Sequence, residues 1–135
     1  MKKVVVTVGM TERNYSAYVN IGDGIAVATG KTFEELKSQM GEAVEFHLEG
    51  MREDGDEIPE VFDSGYELVY KFDPQSLLTH YKGIFTNTAL HRLTGINERQ
   101  LQRYTSGESK PRPEQSKKIA DALHRLADEL RVVDL

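Results

Sequence analysis

The spacing of apolar residues changes at Asp73-Pro74, and this change restricts the possible folds more than any other feature of the chain. Upstream, β-branched and alternating runs surround a single amphipathic segment. Downstream, apolar residues recur every three or four positions as far as Leu130. A residue before proline disfavours helix, so this peptide marks a boundary. The 135 residues therefore read as two small modules, 1–72 and 73–135.

In the first module, Val4–Val8 reads as a buried strand. Tyr15–Ile21 reads as a half-buried one, with Tyr15, Ala17, Val19 and Ile21 on one face. Gly22-Asp23-Gly24 is a tight turn and Ile25–Ala28 a return strand. Thr32 and Glu35 form a capping box for a helix carrying Phe33, Leu36, Met40, Ala43, Val44, Leu48 and Met51. Residues 52–65 are polar, acidic and Gly/Pro-bearing and read as a loop, and Tyr66–Phe72 as a last strand. The expected fold class is α+β: a small antiparallel sheet with one helix, followed by an all-α module. That second module starts with a short helix over 75–81. Thr86 caps a second helix, and Asn97, with Gln100 in capping-box position, caps a third that ends at Gly107. Pro113 opens a fourth helix, carrying Ile119, Ala120, Leu123, Leu126, Ala127 and Leu130.

Charge divides at the same place. Residues 1–72 hold 7 Lys+Arg and 14 Asp+Glu, a net of −7; residues 73–135 hold 10 and 8, a net of +2. Within the second module, Lys82–Lys118 carries 8 basic and 3 acidic residues, a net of +5. An acidic module repels nucleic acid and attracts basic proteins, whereas a locally basic one can meet phosphates. With no cysteine there is no disulfide and no thiolate metal site. No apolar run approaches the roughly 20 residues that span a bilayer, and the VVV run after Lys2-Lys3 is too short for a signal peptide. A cytoplasmic protein without a membrane partner is expected.

Residues 85–107, FTNTALHRLTGINERQLQRYTSG, concentrate the chemistry. Two short helices flank a turn with glycine at its centre. Ala89 is small where the helices would cross, Ile96 plugs the space between them and Leu101 anchors the second helix. The outer face of that helix holds Glu98, Arg99, Gln102 and Arg103, with Gln100 at its edge. Arg can read guanine and Gln adenine through paired hydrogen bonds. Thr86, Asn87 and Thr88 begin the preceding helix, where N–H groups and hydroxyls can take a phosphate. Lys110, Arg112, Lys117 and Lys118 flank the site.

Residues 77–130 resemble the Cro/C1-type (XRE) helix-turn-helix domain. Thr86, Ala89, Leu90, Leu93, Gly95, Ile96, Leu101, Tyr104, Gly107 and Pro111 follow its pattern in register. The resemblance implies that helix 97–106 enters the major groove of a double-stranded operator, with Asn87, Glu98, Arg99 and Arg103 at phosphates or bases and Asn97 at the helix start. Glu98 departs from the uncharged polar residue of many relatives, and reading cytosine N4 would accommodate its charge.

Residues 1–72 resemble a HicB-type antitoxin domain. The run Gly30-Lys31-Thr32-Phe33-Glu34-Glu35-Leu36 is similar to that family's G-x-T-x-E-E-A, and Leu48, Gly55, Ile58 and Pro59 match its downstream pattern. Leu36 replaces the usual Ala, and Gly24-Ile25-Ala26 stands where a Pro-Gly-Cys-like turn is common. The resemblance implies a degenerate RNase H-like sheet without catalytic residues. It also implies a partner: a small basic HicA-like toxin that cleaves mRNA. The acidic module suits such a partner, with Asp23, Glu53, Asp54, Asp56 and Glu57 as the candidate contacts or else a solvated segment.

The residues themselves argue against catalysis. The strands 4–8 and 15–21 carry no Asp or Glu for a two-metal nuclease site. The loop acids lack the EF-hand ligand series, the four histidines are dispersed, and no glycine-rich phosphate loop is present. No enzyme activity, metal or cofactor is expected. Tyr15, Tyr18, Tyr66 and Tyr70 read as core or sheet-face packing. The expected function is an antitoxin that neutralises its toxin and represses its own operon. The alternative is a stand-alone repressor whose first module senses a ligand or another protein. Reading a pseudo-palindrome takes two recognition helices roughly 34 Å apart, so a homodimer or higher homo-oligomer is expected. Val132, Val133 and Leu135 either pair across its two-fold axis or fray.

Overall fold

The computed structural model describes residues 1–11 and 13–135, which form two compact units, Met1–Asp73 and Pro74–Leu135. No helix among the described residues is long and apolar enough to cross a membrane.

The first unit runs β1 (Lys2–Met10), β2 (Tyr15–Ile21), β3 (Gly24–Gly30), α1 (Phe33–Glu53), a 3₁₀ turn (Glu60–Phe62) and β4 (Tyr66–Phe72). The strand order is β3-β2-β1-β4. β1–β2 and β2–β3 are antiparallel hairpin neighbours, but β4 lies parallel to β1, with Val4 opposite Leu68 and Val6 opposite Tyr70. The sheet is therefore mixed, not antiparallel as the sequence suggested. The connection explains the difference. β3 is followed by a helix that carries the chain back along the sheet, so β4 starts from the same end as β1 and β3.

α1 covers one face. Thr32 caps its N-terminus as expected, Oγ1 accepting from Glu35 N at 3.0 Å, but the returning half of the capping box is displaced by one residue: Glu35 Oε2 accepts from Lys31 N at 3.3 Å, ahead of the N-cap, rather than from Thr32 N. Leu36, Met40, Val44 and Leu48 are fully buried against inward residues of β1, β2 and β3. Burial of this kind stabilises by about 2 kcal/mol per side chain. The opposite sheet face is uncovered, so Val4, Val6 and Val8 are buried while Val5 is 53% exposed. The Val4–Val8 run is thus an alternating strand rather than one buried throughout. Phe33, at the start of α1, sits among Tyr15, Tyr70 and Phe72, with ring centroids 5.3–6.0 Å apart. Residues 52–65 are less loop-like than their composition suggests. α1 continues to Glu53, and the 3₁₀ turn after Pro59 buries Phe62.

Beside that anchor, the Tyr66 hydroxyl donates to Glu45 on α1, and Phe62 meets the Tyr66 ring edge-on. Burial, reinforced by this hydrogen bond and the negative charge of Glu45, pushes the Tyr66 hydroxyl up to about 12. Raising an acid above its ordinary value of 10.0 favours the folded state while the unfolded chain keeps its proton. This contribution is present below pH 10 and disappears as pH rises through about 12. Glu45→Gln removes the charge and the strong acceptor, so alkaline titration followed by tyrosinate absorbance should show Tyr66 ionising closer to 10.0. An unchanged curve would mean that burial alone sets the shift.

The second unit holds α2 (Pro74–His80), α3 (Asn87–Thr94), α4 (Glu98–Ser106) and α5 (Pro113–Arg131). Its core is Leu78, Leu90, Ile96, Leu101, Tyr104 and Ile119, with Phe85 and Leu123 packed against it. α5 has 19 residues, about 28 Å of helix, whereas α3 and α4 have 8 and 9. Its last turns pass beyond the bundle. Ile119 and Ala122 are buried, but Ala127, Leu130, Val132, Val133 and Leu135 are exposed.

Candidate nucleic-acid interface

The arrangement of α3 and α4 follows from a few short-range bonds. Thr86 Oγ1 accepts from Ala89 N at 3.0 Å and starts α3. Gly95 ends it in the left-handed region, φ +78°, with its N–H on His91 O. A β-carbon there would be strained whatever the space around it. Thr94 is buried. Its hydroxyl donates to Leu90 O at 2.6 Å and accepts from Ile96 N at 3.0 Å, while His91 Nδ1 lies 2.8 Å from Ile96 O. These bonds hold the connection still and press Ile96 into the core. Asn97 Oδ1 then accepts from Arg99 N at 2.8 Å and starts α4.

α4 is fixed from below. Leu101 and Tyr104 are buried, and Thr79 Oγ1 on α2 donates to Thr105 O at 3.3 Å. Its outer face stays in solvent, with Glu98, Arg99, Gln102 and Arg103 all exposed. Two of these are steadied from α3: Thr88 Oγ1 donates to Glu98 Oε1 at 2.6 Å, and Asn87 Nδ2 to Gln102 Oε1 at 2.9 Å. One Glu98 oxygen thus has a donor within the molecule, while no ion pair among the described residues offsets its charge. Among the described residues, no ion pair engages Arg99, Arg103, Lys110 or Arg112. Two guanidinium groups one helical turn apart, on a face held by its neighbours, can reach paired acceptors on base edges.

Of the residues expected at this interface, Thr86, Asn87, Thr88, Asn97, Glu98, Arg99, Gln102 and Arg103 lie on α3, α4 and the connection between them. Lys110 and Arg112 are exposed in the segment that leads to α5. Gln100 departs from expectation. It does not return a bond to the start of α4; its Nε2 donates to Ser109 Oγ at 3.4 Å, on the side away from the exposed face. Lys82 was not among the expected residues. It lines a cleft of 170 Å³ with Thr86, Asn87 and Gln102. Its place at the head of the basic Lys82–Lys118 stretch was the available signal.

In the first unit, Asp23, Glu53, Asp54, Asp56 and Glu57 are all exposed. A methyl group at Gly22 would lie 3.7 Å from Pro59 Cγ and 4.0 Å from Met51 Cε, so the β2–β3 turn meets the end of α1 and the segment after it. The five carboxylates therefore share one end of the unit. Glu42 and Phe46 on α1 lie beside Val27 and Ala28 of β3 and were not among the expected residues, because both fall off the apolar stripe of that helix.

Comparison with protein-family models, with curated proteins and with solved structures finds no match to this chain.

Proposed function

We propose that this chain is a DNA-binding antitoxin. Its second unit acts as a helix-turn-helix reader, placing α4 in the major groove of an operator upstream of its own gene. Its first unit, a HicB-like module, captures a small basic ribonuclease toxin. The single observation that carries the reading is the α4 surface. A nine-residue helix buries Leu101 and Tyr104 and leaves Arg99 and Arg103 exposed without an ion pair among the described residues. The acidity of the first unit supports the other half, because a carboxylate-rich surface competes with RNA phosphates for a basic toxin. Repression then requires no catalysis, only a dimer whose two α4 helices match successive grooves.

Co-purification tests this. The chain is expressed with the small reading frame beside its gene, and only one product is tagged. Co-elution of a basic protein that is toxic when expressed alone is the expected result. If no such frame exists, or nothing co-elutes, the antitoxin role falls. DNA binding by the second unit would then support a repressor whose first unit senses something else.

A further inference from the structure

β3 closes one side of the sheet, with β2 as its strand neighbour. The two-residue turn Gly22-Asp23 makes Ile21 and Gly24 the hydrogen-bonded pair that closes the hairpin. Alternation then points the N–H and C=O groups of Ile25, Val27 and Thr29 away from β2. Proteins usually blunt such an edge with lysine, proline or a bulge. Gly24–Gly30 contains no charged residue and no proline, and its register with β2 is unbroken.

α1 runs back alongside this edge. Gly30 abuts the Leu36 backbone near the start of the helix, and Gly24 abuts His47 near its end. Between them a groove of 370 Å³ is bounded by Val27, Ala28, Gln39, Glu42, Ala43 and Phe46, whose ring is 79% exposed. Helical spacing extends this row to Glu35, Glu49 and Glu53, all exposed. An unpaired strand edge thus lies beside an apolar socket flanked by carboxylates.

A second copy of the chain fits this site poorly. Pairing β3 with its own copy across a two-fold axis sets the two α1 rows side by side, with Glu35, Glu42, Glu49 and Glu53 from each chain in like-charge opposition. A basic strand meets the same row with opposite charge. We propose that the β3 edge takes an extended strand from a basic protein. The strand would pair with the backbone of Ile25, Val27 and Thr29, place an apolar side chain against Phe46 and set Lys or Arg against Glu42 and Glu49. The inference rests on the reading of the first unit as a partner-binding module and locates the docking surface within it.

The probe is a blocked peptide of repeating Lys-Thr-Val-Thr, which sets lysine and valine in turn along one face of the strand, titrated into the full chain labelled with nitrogen-15. The expected result is that the amides of Ile25, Val27 and Thr29 shift, while the same peptide with glutamate in place of lysine leaves them in place. Glu42→Lys with Glu49→Lys, both on an exposed helix face, should weaken binding about tenfold or more. Val27→Pro removes an outward N–H without touching the hairpin ladder and should abolish binding. Shifts confined to other residues, equal binding of the acidic peptide, or indifference to the charge reversal would overturn the proposal. So would a concentration-dependent dimer of the chain that Val27→Pro dissolves, since the occupant would then be a second copy. The peptide needs no toxin, so binding at β3 without any co-eluting ribonuclease would reject the antitoxin role and leave this docking surface standing.

Discussion

Replacing Arg99 and Arg103 together by alanine is expected to remove specific binding to the DNA upstream of this gene while leaving the fold intact. Both side chains are exposed on α4, so the change should alter stability by no more than about 0.5 kcal/mol. A bidentate contact to a base edge is worth about 1–3 kcal/mol, and the pair therefore about 2–6 kcal/mol, a factor of ~30 or more in affinity. The two side chains stand one turn apart beside Glu98 and Gln102, which Thr88 and Asn87 hold from α3. Lys110→Ala and Arg112→Ala provide the contrast. They flank this face, and as phosphate contacts each should weaken binding to all sequences alike and lower the salt slope by about one. Fluorescence anisotropy with the upstream fragment and a scrambled fragment, at two salt concentrations, separates these effects. If the double arginine variant binds the upstream fragment as tightly as the parent, α4 is not the reading element.

What the sequence revealed correctly was decided locally. A helix start depends on one side chain and an amide two or three residues away, so Thr32, Thr86 and Asn97 could be placed from spacing alone. Leu36, Met40, Val44 and Leu48 announce their shared face because the helical period fixes it. What could not be read depends on residues far apart. The Tyr66–Phe72 pattern suits either direction, and only the path of α1 decides that β4 runs parallel to β1. Val5 looks as buried as Val4 until the sheet is known to be covered on one face. Gln100 has the spacing of a capping box, but Ser109 lies close enough to take its amide instead. Leu130 keeps the period of α5 and is exposed because the helix outlasts the short helices it packs on. The β3 edge escaped for the opposite reason. Its signal is the lack of any charged residue over Gly24–Gly30 together with Phe46 on the wrong side of an amphipathic helix, and neither stands out until the two are adjacent.

Gly30→Ala is expected to be the most damaging small substitution in the first unit. A β-carbon at Gly30 would sit 2.6 Å from Leu36 N, 3.0 Å from Leu36 Cα and 3.1 Å from the Glu35 carbonyl carbon. All three atoms belong to the backbone of the first turn of α1, so no side chain can swing aside, and either the strand end or the helix must move. Leu36 is fully buried, and displacing it disturbs the core as well. The cost should reach the top of the usual range for overpacking, about 3 kcal/mol, which for a unit of this size lowers Tm by roughly 12–24 °C. Gly41→Ala is the control. Nothing lies within 4 Å of a β-carbon there, and alanine in a helix interior gains about 0.5–1 kcal/mol over glycine. The two substitutions add the same atom to the same unit and should shift Tm in opposite directions. Equal melting of Gly30→Ala and the parent would mean that α1 is not seated against β3 as described. The opposite signs also bear on function. In the run Gly30-Lys31-Thr32-Phe33-Glu34-Glu35, glycine serves close approach, threonine caps the helix, phenylalanine joins the aromatic cluster and Glu35 returns to the Lys31 amide. Four of its six residues are thus accounted for by how α1 begins, so the proposed partner binding is to be tested at the exposed edge and carboxylates rather than at this run.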